Sequence, residues 1–141
     1  MYDTFITQVI ENKLLFTLKK NEEQAVCSSN DFIIEQTGEA LAVFPFWSDK
    51  SLAESCKKEE WKSYQVSEIP LSEFIEFWCL GMYEDSIVAG INFDENLYGQ
   101  EENPMELLKK IINEIEKSNT KIAFKNFKSI KHLKNYLETE E

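Results

Sequence analysis

Acids dominate the residues that could do chemistry. The 141-residue chain carries 26 Asp and Glu against 15 basic residues, a formal charge of −11 at pH 7. Several acids stand in close pairs: Glu59/Glu60, Glu73/Glu76, Glu84/Asp85 and Glu101/Glu102. Paired carboxylates are raw material for general acid–base catalysis or for Mg²⁺ binding. At this density such pairs also arise from solubility alone. Glu73 and Glu76 fall off the apolar stripe of their helix and are expected on a solvated face. Asp94-Glu95-Asn96 has neither the central Gly nor the twelfth-position Glu of an EF-hand loop.

Other catalytic kits are thinly supplied. His132 is the only histidine, so a two-histidine metal site is excluded, and the lysines on either side, Lys131 and Lys134, suit a surface position. Cys27, Cys56 and Cys79 are too far apart for a CxxC knuckle or redox motif, and they read as reduced thiols of a cytoplasmic protein. Gly38, Gly81, Gly90 and Gly99 are too widely spaced for a GxGxxG or Walker A loop. No cofactor and no metal is expected, and no residue is assigned a catalytic role.

The remaining signals favour binding. Trp47 follows Pro45-Phe46 at a strand-to-helix junction beside Asp49, and Trp61 follows Glu59-Glu60. Trp47, Asp49, Glu59, Glu60 and Trp61 are therefore the candidate partner-contacting residues, although an aromatic at such a junction also serves as a lid on the core. All 15 bases are lysine, and arginine, the usual bidentate grip on phosphates and guanine, is absent. Residues 104–135 hold eight Lys and three Glu, whereas residues 1–103 hold seven Lys and 20 acids. An acidic body thus carries a basic C-terminal arm. Nucleic acid is not an expected partner, and a basic protein is. The longest apolar run, near Ala40–Trp47, is far short of the ~20 residues of a membrane helix. The N-terminus lacks the basic stretch of a signal peptide.

These residues need elements to hold them. Apolar spacing predicts helices over 3–11, 48–57, 71–80 and from 104 on, plus a short helix beyond Phe127. Strands are expected at 14–18, 25–27, 32–35, 40–44, 64–69 and 86–93, with a further short one at Ile122–Phe124. Ser51 and Glu54 have capping-box spacing, Pro45 should end its strand, and Gly81 should supply the left-handed residue after its helix. Residues 94–102 read as an acidic loop. Asn103-Pro104-Met105-Glu106 is a helix start, followed by the stripe Leu108, Ile111, Ile112 and Ile115. Phe44 and Trp78 join that stripe in the expected core. The sum is a single α+β domain, residues 1–118, with one mixed sheet of five or six short strands and four or five helices. Residues 119–141 form a lysine-rich arm whose apolar residues should pack on the domain.

Between 41 and 85 the run Leu41-Ala42-Val43-Phe44-Pro45, then Ala53, Glu60-Trp61, Tyr64, Ile69-Pro70-Leu71, Phe74, Trp78, Gly81 and Asp85, resembles the bacterial family catalogued as domain of unknown function 2750. Ala42 and Phe44 depart from the "PVWP" strand end usual there. The resemblance implies a compact α+β domain in a cytosolic bacterial protein, and no activity or catalytic residue. The expected function is a non-enzymatic, acidic protein-binding module of adaptor or immunity-like type. The alternatives are a small hydrolase or transferase using carboxylates with Cys27 or Cys56, and a homodimer without ligand.

Overall fold

The computed structural model describes residues 2–140. Helix α1 (Tyr2–Asn12) buries Phe5, Ile6, Val9 and Ile10, the stripe its spacing predicts. Strands β1 (Leu14–Lys20) and β2 (Glu23–Gln24) form a tight hairpin, and β5 (Gln65–Pro70) pairs with the other edge of β1. A second sheet has the order β3 (Cys27–Ile33), β4 (Ala40–Phe46), β6 (Val88–Ile91), β7 (Gln100–Glu102). Its β4–β6 pair is parallel and the others are antiparallel.

The strands therefore form two sheets, where a single mixed sheet is expected from sequence. Pro45 supplies the reason. It does not end β4 but sits inside it, opposite Gly90 of β6. Its carbonyl accepts the Thr17 hydroxyl of β1 at 2.7 Å. A strand residue's nitrogen and carbonyl point to the same side, so the missing N–H faces β1 and leaves the β4–β6 ladder intact. Among the described residues a single bridge joins β1 to the end of β4's chain, where Phe16 and Trp47, the residue after β4, exchange both backbone hydrogen bonds at 2.8 Å.

The second sheet separates two apolar clusters. Ala89 and Ile91 face a helical layer of α1 and α5 (Pro104–Ser118), together with the helical stretch 71–84. Val43 and Val88 face the smaller cluster of Leu18, Trp47, Ala53, Cys56, Trp61 and Phe93. Helix α5 starts as its sequence requires: Asn103 Oδ1 accepts from Met105 N at 2.8 Å, with Pro104 in the first turn. Leu108, Ile111, Ile112 and Ile115 are buried.

The stretch after Pro70 departs from its sequence pattern. It opens as α3 (Leu71–Glu73), widens into a π-helical turn at Phe74–Trp78 and resumes as α4 (Cys79–Glu84). The wider turn rotates the register that a uniform 3.6-residue period assumes. Trp78 is consequently only partly buried, edge-on to Phe44 and Phe46, while Phe74, Ile75 and Cys79 are fully buried. Phe44 is likewise partly buried. Glu76, expected on the solvated face, is 5% exposed. Gly81 lies within α4, and the left-handed residue after the helix is Ser86, at φ 58°.

Three smaller expectations also change. Helix α2 (Lys50–Ser55) is capped by Asp49 instead of a Ser51–Glu54 box. Strand β7 forms within the expected acidic loop because β6 offers it a free edge. Residues 122–124 form no strand, and the chain stays irregular until α6 (Ile130–Glu140). Leu133 and Leu137 of α6 are buried in the helical cluster, and Ile122, Phe124, Phe127 and Ile130 pack against it.

The burial order gives a direct test. Phe74→Ala should cost about 3–5 kcal/mol of stability. Trp78→Ala should cost less, because its ring already meets water on one side. Urea unfolding of both variants measures the difference, and a larger loss for Trp78→Ala would contradict the π-turn register.

Candidate functional site

A concavity of about 550 Å³ lies at the open edge of the second sheet. One wall is the β3–β4 hairpin and its approach, with Val26, Cys27 and Ser28 facing Ala40, Leu41 and Ala42. The opposite wall is the segment after α2: Cys56, Lys58 and the 3₁₀ turn Glu59–Trp61. The β6–β7 loop closes one end with Glu95 and Leu97.

Each wall is fixed by local chemistry. Trp47 is fully buried, and its indole N–H donates to the Phe93 carbonyl at 2.8 Å. Its ring meets Trp61 edge-to-face, with centroids 6.4 Å apart. Phe93 is seated where only glycines leave room, since a Cβ on Gly90 would lie 2.7 Å from its ring and one on Gly99 would lie 2.5 Å from it. The loop beyond is tied by Asp94, whose Oδ1 accepts from Asn96 N at 2.9 Å and Tyr98 N at 3.1 Å. Lys58 reaches across to Glu95 at 3.1 Å and clasps the two rims. Glu59 and Leu97 hold left-handed backbone, at φ 50° and 63°. For residues with a Cβ this is a strained state, kept only where surrounding contacts enforce it.

A second buried carboxylate shapes the hairpin. Between Ser28 and Ile33, β3 leaves its register with β4. Glu101 of β7 grips the excursion, accepting from the Ser29 hydroxyl and, at 2.9 Å, from Asn30 N. Ser29 Oγ in turn accepts from Phe32 N at 2.8 Å.

Of the five residues singled out in the sequence, three meet at this trough. Glu59 and Glu60 are exposed on its rim, and Trp61 lines it while remaining 4% exposed. Trp47 lies behind Trp61 as part of the floor's support. Asp49 is elsewhere. Its carboxylate accepts the Ser51 hydroxyl at 2.7 Å and Ser51 N at 2.8 Å, hydrogen bonds that hold it below the usual carboxylate range. Lys58, Glu95 and Leu97 carry no periodic signal, and Val26 and Leu41 read only as strand residues, so nothing in the sequence brings them to one site. The acidic run after Asp94 was the one visible hint.

The thiols in the trough are poor nucleophiles. Burial, reinforced by Glu101 and Glu60, pushes Cys27 up to about 11. Burial also raises Cys56, whose Sγ donates to the carbonyls of Phe93 at 3.3 Å and Asp94 at 3.2 Å. The thiolate is the reactive form, so both stay protonated at neutral pH. His132 is remote, on α6, where Nδ1 accepts from Lys128 N at 3.1 Å. Among the described residues no group of three His, Cys, Asp or Glu is placed to hold a metal ion.

A family model described as "Protein of unknown function (DUF2750)" matches residues 2–111. The chain belongs to that family. The match takes in the whole trough and the π-turn, reaches well before residue 41, and ends inside α5. No curated protein and no solved structure matches the chain. DUF2750 carries no assigned activity in its description, so the chemistry must be read from the trough itself. Among the described residues no helix is long and apolar enough to cross a membrane.

The raised thiol gives a pH signature. At pH 8, Cys27 should react with iodoacetamide about 100-fold more slowly than an ordinary thiol, the rate rising about tenfold per pH unit to pH 10. The native state holds a proton that the unfolded chain gives up between 9.0 and about 11, so Cys27 makes stability fall as pH rises through that window. Mass-spectrometric alkylation kinetics and urea melts at pH 7 and 10 check both. Rapid labelling of native Cys27 at pH 8 would contradict its burial.

Proposed function

We propose that this DUF2750 protein is a non-enzymatic binding module whose trough takes a segment of a basic protein, in the manner of an adaptor or an inhibitor. The trough carries the reading. Its walls are apolar, with Val26 and Leu97 open to solvent, and its rim bears Glu59, Glu60 and Glu95 against Lys58 alone. Lys58 is already engaged by Glu95. An aliphatic side chain flanked by lysine or arginine would meet apolar walls and an acidic rim. The body's excess of acids would steer such a partner inward. Charge at the rim acts chiefly on association rate and selectivity, while the buried apolar contact supplies most of the affinity.

The rival hydrolase or transferase needs an activated nucleophile, and the protonated Cys27 and Cys56 weigh against it. We further read residues 1–118 as the binding domain and 119–141 as an appended arm, supported by a family match that ends at residue 111. Three free thiols fit a cytoplasmic setting.

Panning the full chain against a random peptide library tests the reading. Selected peptides should carry Lys or Arg beside Leu, Ile or Val. The Glu59→Lys/Glu60→Lys variant should bind them at least tenfold more weakly, while Glu138→Lys, distant on α6, should bind normally. Selection of acidic peptides, or indifference to the rim reversal, would overturn it.

A further inference from the structure

Glu76 makes the least expected contact in the molecule. It sits in the π-helical turn, 5% exposed, and its partners are peptide groups. Oε1 accepts from Asn126 N at 2.9 Å, and Oε2 accepts from Lys125 N at 3.2 Å. A buried carboxylate is costly unless it is well hydrogen-bonded, and two consecutive N–H groups supply what this one needs. Lys125 and Asn126 lie in a bend, which turns both N–H groups toward one carboxylate, so the contact reads the backbone and is indifferent to the side chains at its centre. Selectivity then falls to the flanking residues. Here those are Phe124 and Phe127, both packed against the helical cluster, with Ile122 and Ile130 further out.

The receptor and its occupant have different standing in the chain. Glu76 and the π-turn lie within residues 2–111, the part that defines the family. The occupant lies wholly outside it. Residues 120–129 belong to no helix or strand, so few backbone hydrogen bonds tie them to the domain. The arm has some order of its own: the Phe127 ring meets His132 edge-to-face and Tyr136 at a tilt, with centroids 5.2 and 5.3 Å apart. One ion pair, Lys134–Glu116 at 3.1 Å, joins α6 to α5. Charge also matches the two parts, five lysines between 121 and 134 facing a body rich in acids.

We infer that the surface centred on Glu76 is a docking site for a bent, lysine-bearing protein segment with two phenylalanine anchors, and that the chain's own arm fills it in cis as a resident ligand. Release of the arm exposes the site, and a segment of the same chemistry from a partner replaces it. The π-turn is what aims Glu76 inward, because an uninterrupted α-helix would leave it on the solvated face. This inference is independent of the trough and stands or falls without it.

Amide hydrogen exchange on the full-length, ¹⁵N-labelled chain tests it. The amides of residues 121–137 should exchange through a local opening, at least tenfold faster than those of β4, β6 and α5. Loss of a charge-assisted contact in Glu76→Gln should speed the arm's exchange about 10–100-fold and leave β4 and β6 unchanged. Phe127→Ser probes the same contact from the arm's side should Glu76→Gln fail to fold. An unlabelled peptide of residues 119–141, added in excess, should strip protection from the labelled arm in a dose-dependent way. Arm and core amides exchanging together in every variant would overturn the inference, because the arm would then be an integral part of one cooperative unit. An arm that stays protected at 100-fold excess of peptide would also overturn it.

Discussion

Trp47 is the joint of this molecule. Its backbone exchanges two hydrogen bonds with Phe16, and among the described residues this is the only ladder contact between the two sheets. Its indole N–H holds the Phe93 carbonyl, which fixes the turn leaving β6, and its ring braces Trp61. Because Pro45 cannot donate toward β1, the sheets cannot zip together beyond this point. Side chains join them instead: the smaller apolar cluster draws Leu18 and Val66 from one sheet and Val43 and Val88 from the other. The trough opens beside that cluster, which supplies Cys56 and Trp61 to its lining. Its far wall is the Trp61 turn, and its end is the loop that Phe93 anchors.

Two buried glutamates repeat one solution to a packing problem. Where β3 loses its register, Glu101 collects the stray peptide N–H of Asn30 and the Ser29 hydroxyl. Where the arm crosses the helical layer without secondary structure of its own, Glu76 collects Lys125 N and Asn126 N. Irregular backbone near a core is tolerated only if its polar groups find partners. In this chain carboxylates provide them, so part of the acid excess is structural and not a solvated coat.

The remaining acids set the character of the surface. Exposed ion pairs such as Lys58–Glu95, Lys110–Asp3 and Lys134–Glu116 each contribute only about 0–1 kcal/mol. Their value lies in placement. Lys58 spans the trough's end and Lys134 links α6 to α5. Stability comes from the apolar clusters, while charge decides which surfaces attract company.

One group of features depends on neighbours along the chain. The stripes of α1 and α5, the Asn103-Pro104 start and the α+β class follow from periodicity and capping, and the run Ile69-Pro70-Leu71 with Glu60-Trp61 carried the family. A second group depends on contacts between distant segments. A π-turn pulled Glu76 inward and left Trp78 half-exposed, because a one-residue change in helical register is invisible to a fixed period. A free edge on β6 recruited Gln100–Glu102 as a strand. The direction in which Pro45 faces split one sheet into two. The trough combines residues near 26, 41, 59 and 96, none of which signals the others, because a concavity is a property of how walls are placed and not of any segment that builds them.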